Sequence, residues 1–248
     1  MNYSIVRHVV AWVIFFAGVF MLLPFLVGLY YREEAALVYL ITGAVCIAIG
    51  LIAKAKPVKS KVFYAKEGFV ATALCWIFFG LAGAVPFVLS GEIPFYIDAL
   101  FESVSGFTTT GASILNDVEA LSHASLFWRS LLNWIGGMGI LIFVMAVMPL
   151  AGSYNMHLMR AESPGPSVGK LLPRVKQTAL MLYGMYIVLT AIQIILLRIF
   201  GLSNFQAVAT SFSTAATGGF GILNTSAASF TPAVQNIITV FMILFAVN

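Results

Sequence analysis

Charge is what this sequence has least of. Only 9% of its 248 residues are charged, while 61% are hydrophobic. Soluble domains run near a quarter charged, so a water-soluble globular fold is excluded and an all-α integral membrane protein is expected. Cysteine is scarce as well: Cys46 and Cys75 lie in apolar runs, neither with a CxxC partner. A disulfide framework and a thiolate zinc site are thereby excluded. His8, His123 and His157 are isolated along the chain, so no metal-ligand spacing is present. HExxH is missing too, which argues against an intramembrane enzyme using His123 or Glu102. No cofactor is expected.

What the chain has in abundance is long apolar runs. Six segments, roughly 8–30, 36–53, 68–89, 125–149, 178–199 and 232–247, approach or exceed the length needed to span a bilayer, about 20 residues of helix. The first run is too long for a signal-peptide core and has no clear small-residue cleavage site. The net charge of +4 is concentrated in two loops, one with Lys54, Lys56, Lys59, Lys61 and Lys66, the other with Arg160, Lys170, Arg174 and Lys176. That is the loop bias of a membrane protein with both loops inside, not a nucleic-acid patch. The N-terminus is then cytoplasmic, and segments 90–124 and 200–231 lie outside.

Each of those two segments opens with a stretch too short to span: PFYIDALFESVSG, opened by Pro94 at a first helical turn, and NFQAVATSFS after Ser203, a helix cap. Runs of this length read as re-entrant half helices. Each leads into a stretch rich in hydroxyls and glycine. SVSGFTTTGASILN (103–116) aligns without a gap to SFSTAATGGFGILN (211–224), at an offset of 108 residues. Ser103/Ser211, Ser105/Ser213, Thr109/Thr217, Gly111/Gly219, Ile114/Ile222, Leu115/Leu223 and Asn116/Asn224 are identical. A repeat with the order spanning helix, half helix, polar strand, spanning helix is expected. Both copies enter from one side, so the repeats are parallel, related by an axis along the membrane normal. Two copies make half of a four-fold arrangement, and the chain reads as a fragment. The expected divisions are 1–60 (two additional spanning helices and a basic loop), 61–160 (first repeat) and 161–248 (second repeat, cut in its last helix).

Irregular backbone at membrane depth survives only where protein buries it or where it lines a wet cavity. Glycine lets carbonyls turn toward an axis, carbonyl rings replace a cation's hydration shell, and hydroxyls add further oxygens. A half helix directs its negative dipole end toward the same place. These features point to a cation conduit, against the blander reading of a polar turn between helices; a substrate-coupled transporter predicts broken helices near mid-membrane instead. Glu33, Glu34, Glu92, Asp98, Glu102, Asp117 and Glu119 all fall outside and only Glu67 and Glu162 inside, either focusing cations at the mouth or reflecting chance. Glu102 lies on a half helix, where an ionisable group needs water or a partner.

The motifs SGFTTTGAS, TAATGGFG and FWRSLLNWIGGMGI (127–140), with two additional N-terminal helices, resemble the TrkH-type subunit of bacterial potassium uptake systems, in the Trk/Ktr/HKT superfamily. The resemblance covers essentially the whole chain. It implies four helix–half helix–helix repeats around one pore, two of them here. It also implies a place in the bacterial inner membrane, a homodimer, and a cytoplasmic nucleotide-binding regulatory ring. Carried over, the selectivity-filter glycines are Gly111 and Gly219, with Thr109, Thr110, Thr217 and Gly218 supplying adjacent carbonyls to K+; between Gly218 and Gly219 the gapless alignment favours Gly219. Glycine in both copies implies potassium, with sodium or unselective monovalent cation transport as the alternative.

Three features have plainer readings. Gly136, Gly137 and Gly139 suit tight packing against a half helix, or else a hinge. Arg129 and Arg198, at helix ends, suit snorkelling to the interface, and Trp12, Trp76, Trp128 and Trp134 read as ordinary membrane aromatics, partly interfacial. Loop 160–176 holds three prolines and is a plain linker or a docking surface.

Overall fold

The computed structural model describes residues 2–56, 65–139 and 175–246. Among these, every regular element is helical: α1 (Tyr3–Tyr31), α2 (Ala35–Ala55), α3 (Ala65–Leu89), α4 (Tyr96–Phe107), α5 (His123–Met138), α6 (Val175–Ile199), α7 (Asn204–Ala215), a 3-10 turn (Ser226–Ser229) and α8 (Pro232–Ala246). Helices α1, α2, α3 and α6 are long and apolar enough to cross a membrane. Much of their surface is apolar and exposed, as at Leu26, Ile52 and Ile195, which suits contact with lipid tails. The chain is a multi-pass, all-α membrane protein.

Helices α1 and α2 form a hairpin held at glycine contacts. A Cβ on Gly18 would come within 2.5 Å of the Gly43 carbonyl oxygen, and one on Gly50 within 2.8 Å of the Ala11 carbonyl oxygen. Close backbone approach of this kind is how membrane helices gain contact where no hydrophobic force drives them together. The hairpin turn is closed by Arg32 at φ 58, whose N–H reaches the Leu29 carbonyl at 3.2 Å. Beyond it, Glu33 accepts from the backbone N–H groups of His123 at 2.9 Å and Ala124 at 3.0 Å, and bonds the His123 ring at 2.8 Å. A carboxylate there meets the free N–H groups that open α5.

The two short helices α4 and α7, each 12 residues long and offset by 108, stand where the sequence predicts half helices. Ser203 caps α7 in a capping box with Gln206. At α4 the sequence expectation needs correction: Pro94 lies before the helix, which starts at Tyr96 after an extended Phe95 (φ −88, ψ 123). Phe95 is 72% exposed, so the chain reaches the helix through an extended surface residue.

Helix α5 ends at Met138, because Gly139 turns the backbone at φ 75. Of the expected span 125–149, residues 140–149 lie outside the described residues, as does loop 160–174. Nor is Trp128 interfacial: it is fully buried, and its indole N–H donates to the Gly83 carbonyl at 2.9 Å.

Candidate functional site

The polar stretches begin where the half helices end, and both helices end in the same way. The Thr109 N–H bonds the Gly106 carbonyl at 3.0 Å and the Thr110 N–H the Ser105 carbonyl at 2.9 Å. Their counterparts are Thr217 to Thr214 at 2.9 Å and Gly218 to Ser213 at 3.2 Å. This is the Schellman pattern, in which one residue turns left-handed and two orphan carbonyls are satisfied. Glycine usually takes the turning position. Here threonine does, at φ 56 for Thr109 and φ 52 for Thr217. A β-branched residue in that region is a backbone outlier, and such strain collects at functional sites. Two residues on, Gly111 at φ 74 and Gly219 at φ 79 repeat the sign. The two stretches share a backbone path as well as a sequence.

The structure brings the two together. The Gly218 carbonyl oxygen occupies the place a side chain at Gly111 would need. Gly218 is itself backed by Asn133, whose amide oxygen would lie 2.7 Å from a Cβ there. Asn133 is fully buried on α5, and its amide N–H donates to Ser213 Oγ at 3.2 Å. Thr109, Gly111 and Gly218 are half-buried, while Thr110, Thr217 and Gly219 are exposed. All six expected residues are thus at least partly accessible, and Gly111 and Gly218 meet directly at the seam between the two stretches. Thr108 Oγ1 pairs with Thr110 Oγ1 at 2.8 Å, and Ser105 Oγ donates to the Ala112 carbonyl at 2.5 Å, tying the first stretch to its half helix.

Helix α5 wedges between the two half-helix ends. A Cβ on Gly136 would strike the Phe107 carbonyl oxygen, and one on Gly137 would meet Ala216 Cα at 2.7 Å and the Tyr186 hydroxyl at 2.6 Å. Tight packing is thus what Gly136 and Gly137 do. Phe107 is clamped in turn by Phe79, with ring centroids 4.2 Å apart, and by Trp76 at 4.5 Å.

Behind the seam lies a feature the sequence reading missed. Arg129 does not snorkel: it is 1% exposed, and its Nε donates to Glu102 Oε1 at 2.6 Å. Glu102, also fully buried, accepts from Ser113 Oγ at 3.0 Å and from the Ile114 N–H at 3.0 Å. Arg129 Nη1 donates to the Gly221 carbonyl at 3.1 Å and Nη2 to Ser113 Oγ at 3.3 Å, and the guanidinium lies 4.3 Å over the Phe220 ring. The position of Glu102 on a short helix asks for a partner; nothing in a linear reading identifies the arginine 27 positions on. Arg198, by contrast, is exposed and donates to the Leu202 carbonyl.

The acidic bias also changes meaning. Glu33 caps α5, Glu92 accepts from the Ser122 N–H at 2.7 Å, and Glu102 is paired inside. Of the outward set, Asp117 and Glu119 remain close to the seam. There Asn224 bridges the two loops, its amide N–H donating to Asp117 at 2.8 Å and its backbone N–H to Glu119 at 2.9 Å.

A family profile described as TrkH, cation transport protein, matches residues 36–248. The Trk system potassium uptake protein TrkH of Salmonella typhimurium is 40% identical over 99% of this chain and 51% of its own length. An uncharacterized cation transporter of Methanocaldococcus jannaschii is 34% identical over 89% of this chain and 46% of its own. Among solved structures, the potassium transporter TrkH from Vibrio parahaemolyticus matches with a TM-score of 0.82 at 30% identity, over 98% of this chain and 50% of that one. The chain spans about half the length of the curated relatives it matches. With a half-helix pair, a glycine seam and a family profile that all coincide over the same residues, it belongs to the TrkH family of cation transport proteins.

Proposed function

We propose that this chain forms part of a potassium uptake pathway, with the ion passing beside the seam of Thr109, Thr110, Gly111, Thr217, Gly218 and Gly219. One observation carries the proposal: two strained stretches with one backbone path, each issuing from the C-terminus of a half helix, meet at Gly111 and Gly218. Left-handed turns at alternate residues free carbonyls from helical bonding, and rows of carbonyl oxygens replace the hydration of a cation. The half-helix dipoles place negative potential at the same point. No cofactor is required; potassium is the cargo. The relatives named as potassium uptake proteins support the choice of ion.

The same reading has the first and second repeats at 61–160 and 161–248, following two additional helices at 1–60, within a four-fold arrangement of parallel repeats. It places the protein in the bacterial inner membrane with the N-terminus cytoplasmic. It also includes a homodimer and a regulatory nucleotide-binding ring on the cytoplasmic face. The test is rubidium uptake by the full-length protein in cells lacking their own uptake systems, beside Gly111→Asp, with membrane insertion measured for both. Uptake by the parent and its loss in the inserted variant is expected. Equal uptake by both removes the ion path from SGFTTTGAS.

A further inference from the structure

We infer that the buried Glu102–Arg129 pair is a positioning device, fixing the spacing of the two seam strands and with it the discrimination between monovalent cations. The inference rests on the filter reading above. Ser113 and Gly221 stand at equivalent places, each two residues beyond the glycine of its own stretch, Gly111 or Gly219. One guanidinium reaches both, through Nη2 to Ser113 Oγ at 3.3 Å and through Nη1 to the Gly221 carbonyl at 3.1 Å. Its Nε is held by Glu102, which in turn holds the Ser113 hydroxyl and the Ile114 N–H. A planar guanidinium presents its donors in a fixed fork, so the separation of the two strands follows from the shape of a single side chain.

The second copy has no such device of its own. At the offset of 108, Thr210 stands for Glu102, Gly221 for Ser113 and Ile237 for Arg129. Thr210 and Gly221 there line a cavity of about 160 Å³. The stretch beyond Gly219 borders this partly open cavity instead of an ion pair of its own copy, and its Gly221 carbonyl is held from the first copy's side. A buried ion pair contributes little net stability over a well-packed apolar pair, because desolvation offsets the attraction. What it contributes is geometry, and a row of carbonyls selects among cations by its oxygen number, field and spacing.

The experiment measures rubidium uptake and its competition by sodium in the full-length protein. It compares the parent, Glu102→Gln, Arg129→Lys and Ser113→Ala, with the amount in the membrane determined for each. Inserted Glu102→Gln should lose about tenfold in rubidium-over-sodium discrimination, the scale of one charge-assisted hydrogen bond. Arg129→Lys should not restore it, since an ammonium cannot span both strands. Ser113→Ala keeps the ion pair and should lose less. Inserted variants with slower uptake but the parent's discrimination would reduce the pair to a support of the fold and overturn the inference. If neither charge variant inserts, Ser113→Ala decides alone, by a lowered or an unchanged ratio. Gly111→Asp run alongside separates the two claims. Its uninhibited uptake would sink the filter reading itself, whereas its block with unmoved ratios elsewhere would sink only the positioning role.

Discussion

A threonine at φ 56 and another at φ 52, 108 residues apart, are the least expected features of the backbone. A left-handed residue with a side chain costs about 1–2 kcal/mol, and paying it twice at matched positions argues for a geometry the site requires. The two seam glycines differ in what surrounds them. A side chain at Gly111 collides with the Gly218 carbonyl oxygen, while one at Gly219 meets nothing within 4 Å. Gly219→Ser should therefore leave a folded protein, destabilised by about 1–2 kcal/mol through its φ alone, with weakened potassium discrimination. Gly111→Ser should lose uptake altogether. Detergent thermal unfolding and uptake with sodium competition, run on both variants, check this contrast; a Gly219→Ser protein with the parent's ion preference would take that residue out of the filter. At this scale the glycines and hydroxyls were legible, since a greasy chain has no other reason to cluster them. The left-handed threonines were not, because threonine's preference is for extended backbone.

At the scale of elements, α5 organises the site. Its N-terminus is held by Glu33, its middle carries Arg129 and Asn133, and Gly136 and Gly137 touch the ends of both half helices. Gly137→Leu would drive a side chain into Tyr186 and Ala216, at separations no real Cβ shows. Overpacking typically costs about 1–3 kcal/mol, and here it displaces the second half helix. Lower thermal stability together with a lost rubidium flux is expected; normal flux would mean α7 does not need α5 beside it. Helices α1, α2, α3 and α6 were legible from apolar run length, and the short α4 and α7 from runs too short to span. The limits of α5 were not, because Gly139 stands inside a continuous apolar run and only its φ of 75 shows the helix stopping at Met138. Arg129 reads otherwise for a related reason: near the start of the expected span 125–149, a snorkelling arginine and a buried one look alike until the neighbours are known.

On the scale of the whole molecule, the parts form a supported seam. The α1–α2 hairpin braces α5 through Glu33, α3 and α5 clamp Phe107, and Arg129 and Asn224 bind one loop region to the other. The membrane class was evident from composition, yet the mutual contact of Gly111 and Gly218 is a property of folding alone. The central claim is that a monovalent cation sits against this seam. The most direct measurement is a structure of the full-length protein in rubidium or thallium, with the anomalous signal of the ion located. An anomalous peak beside the carbonyls of residues 109–111 and 217–219, reduced when sodium replaces the heavy ion, is the predicted result. A well-ordered seam with no ion beside it, and ion density elsewhere in the bundle, would contradict the account.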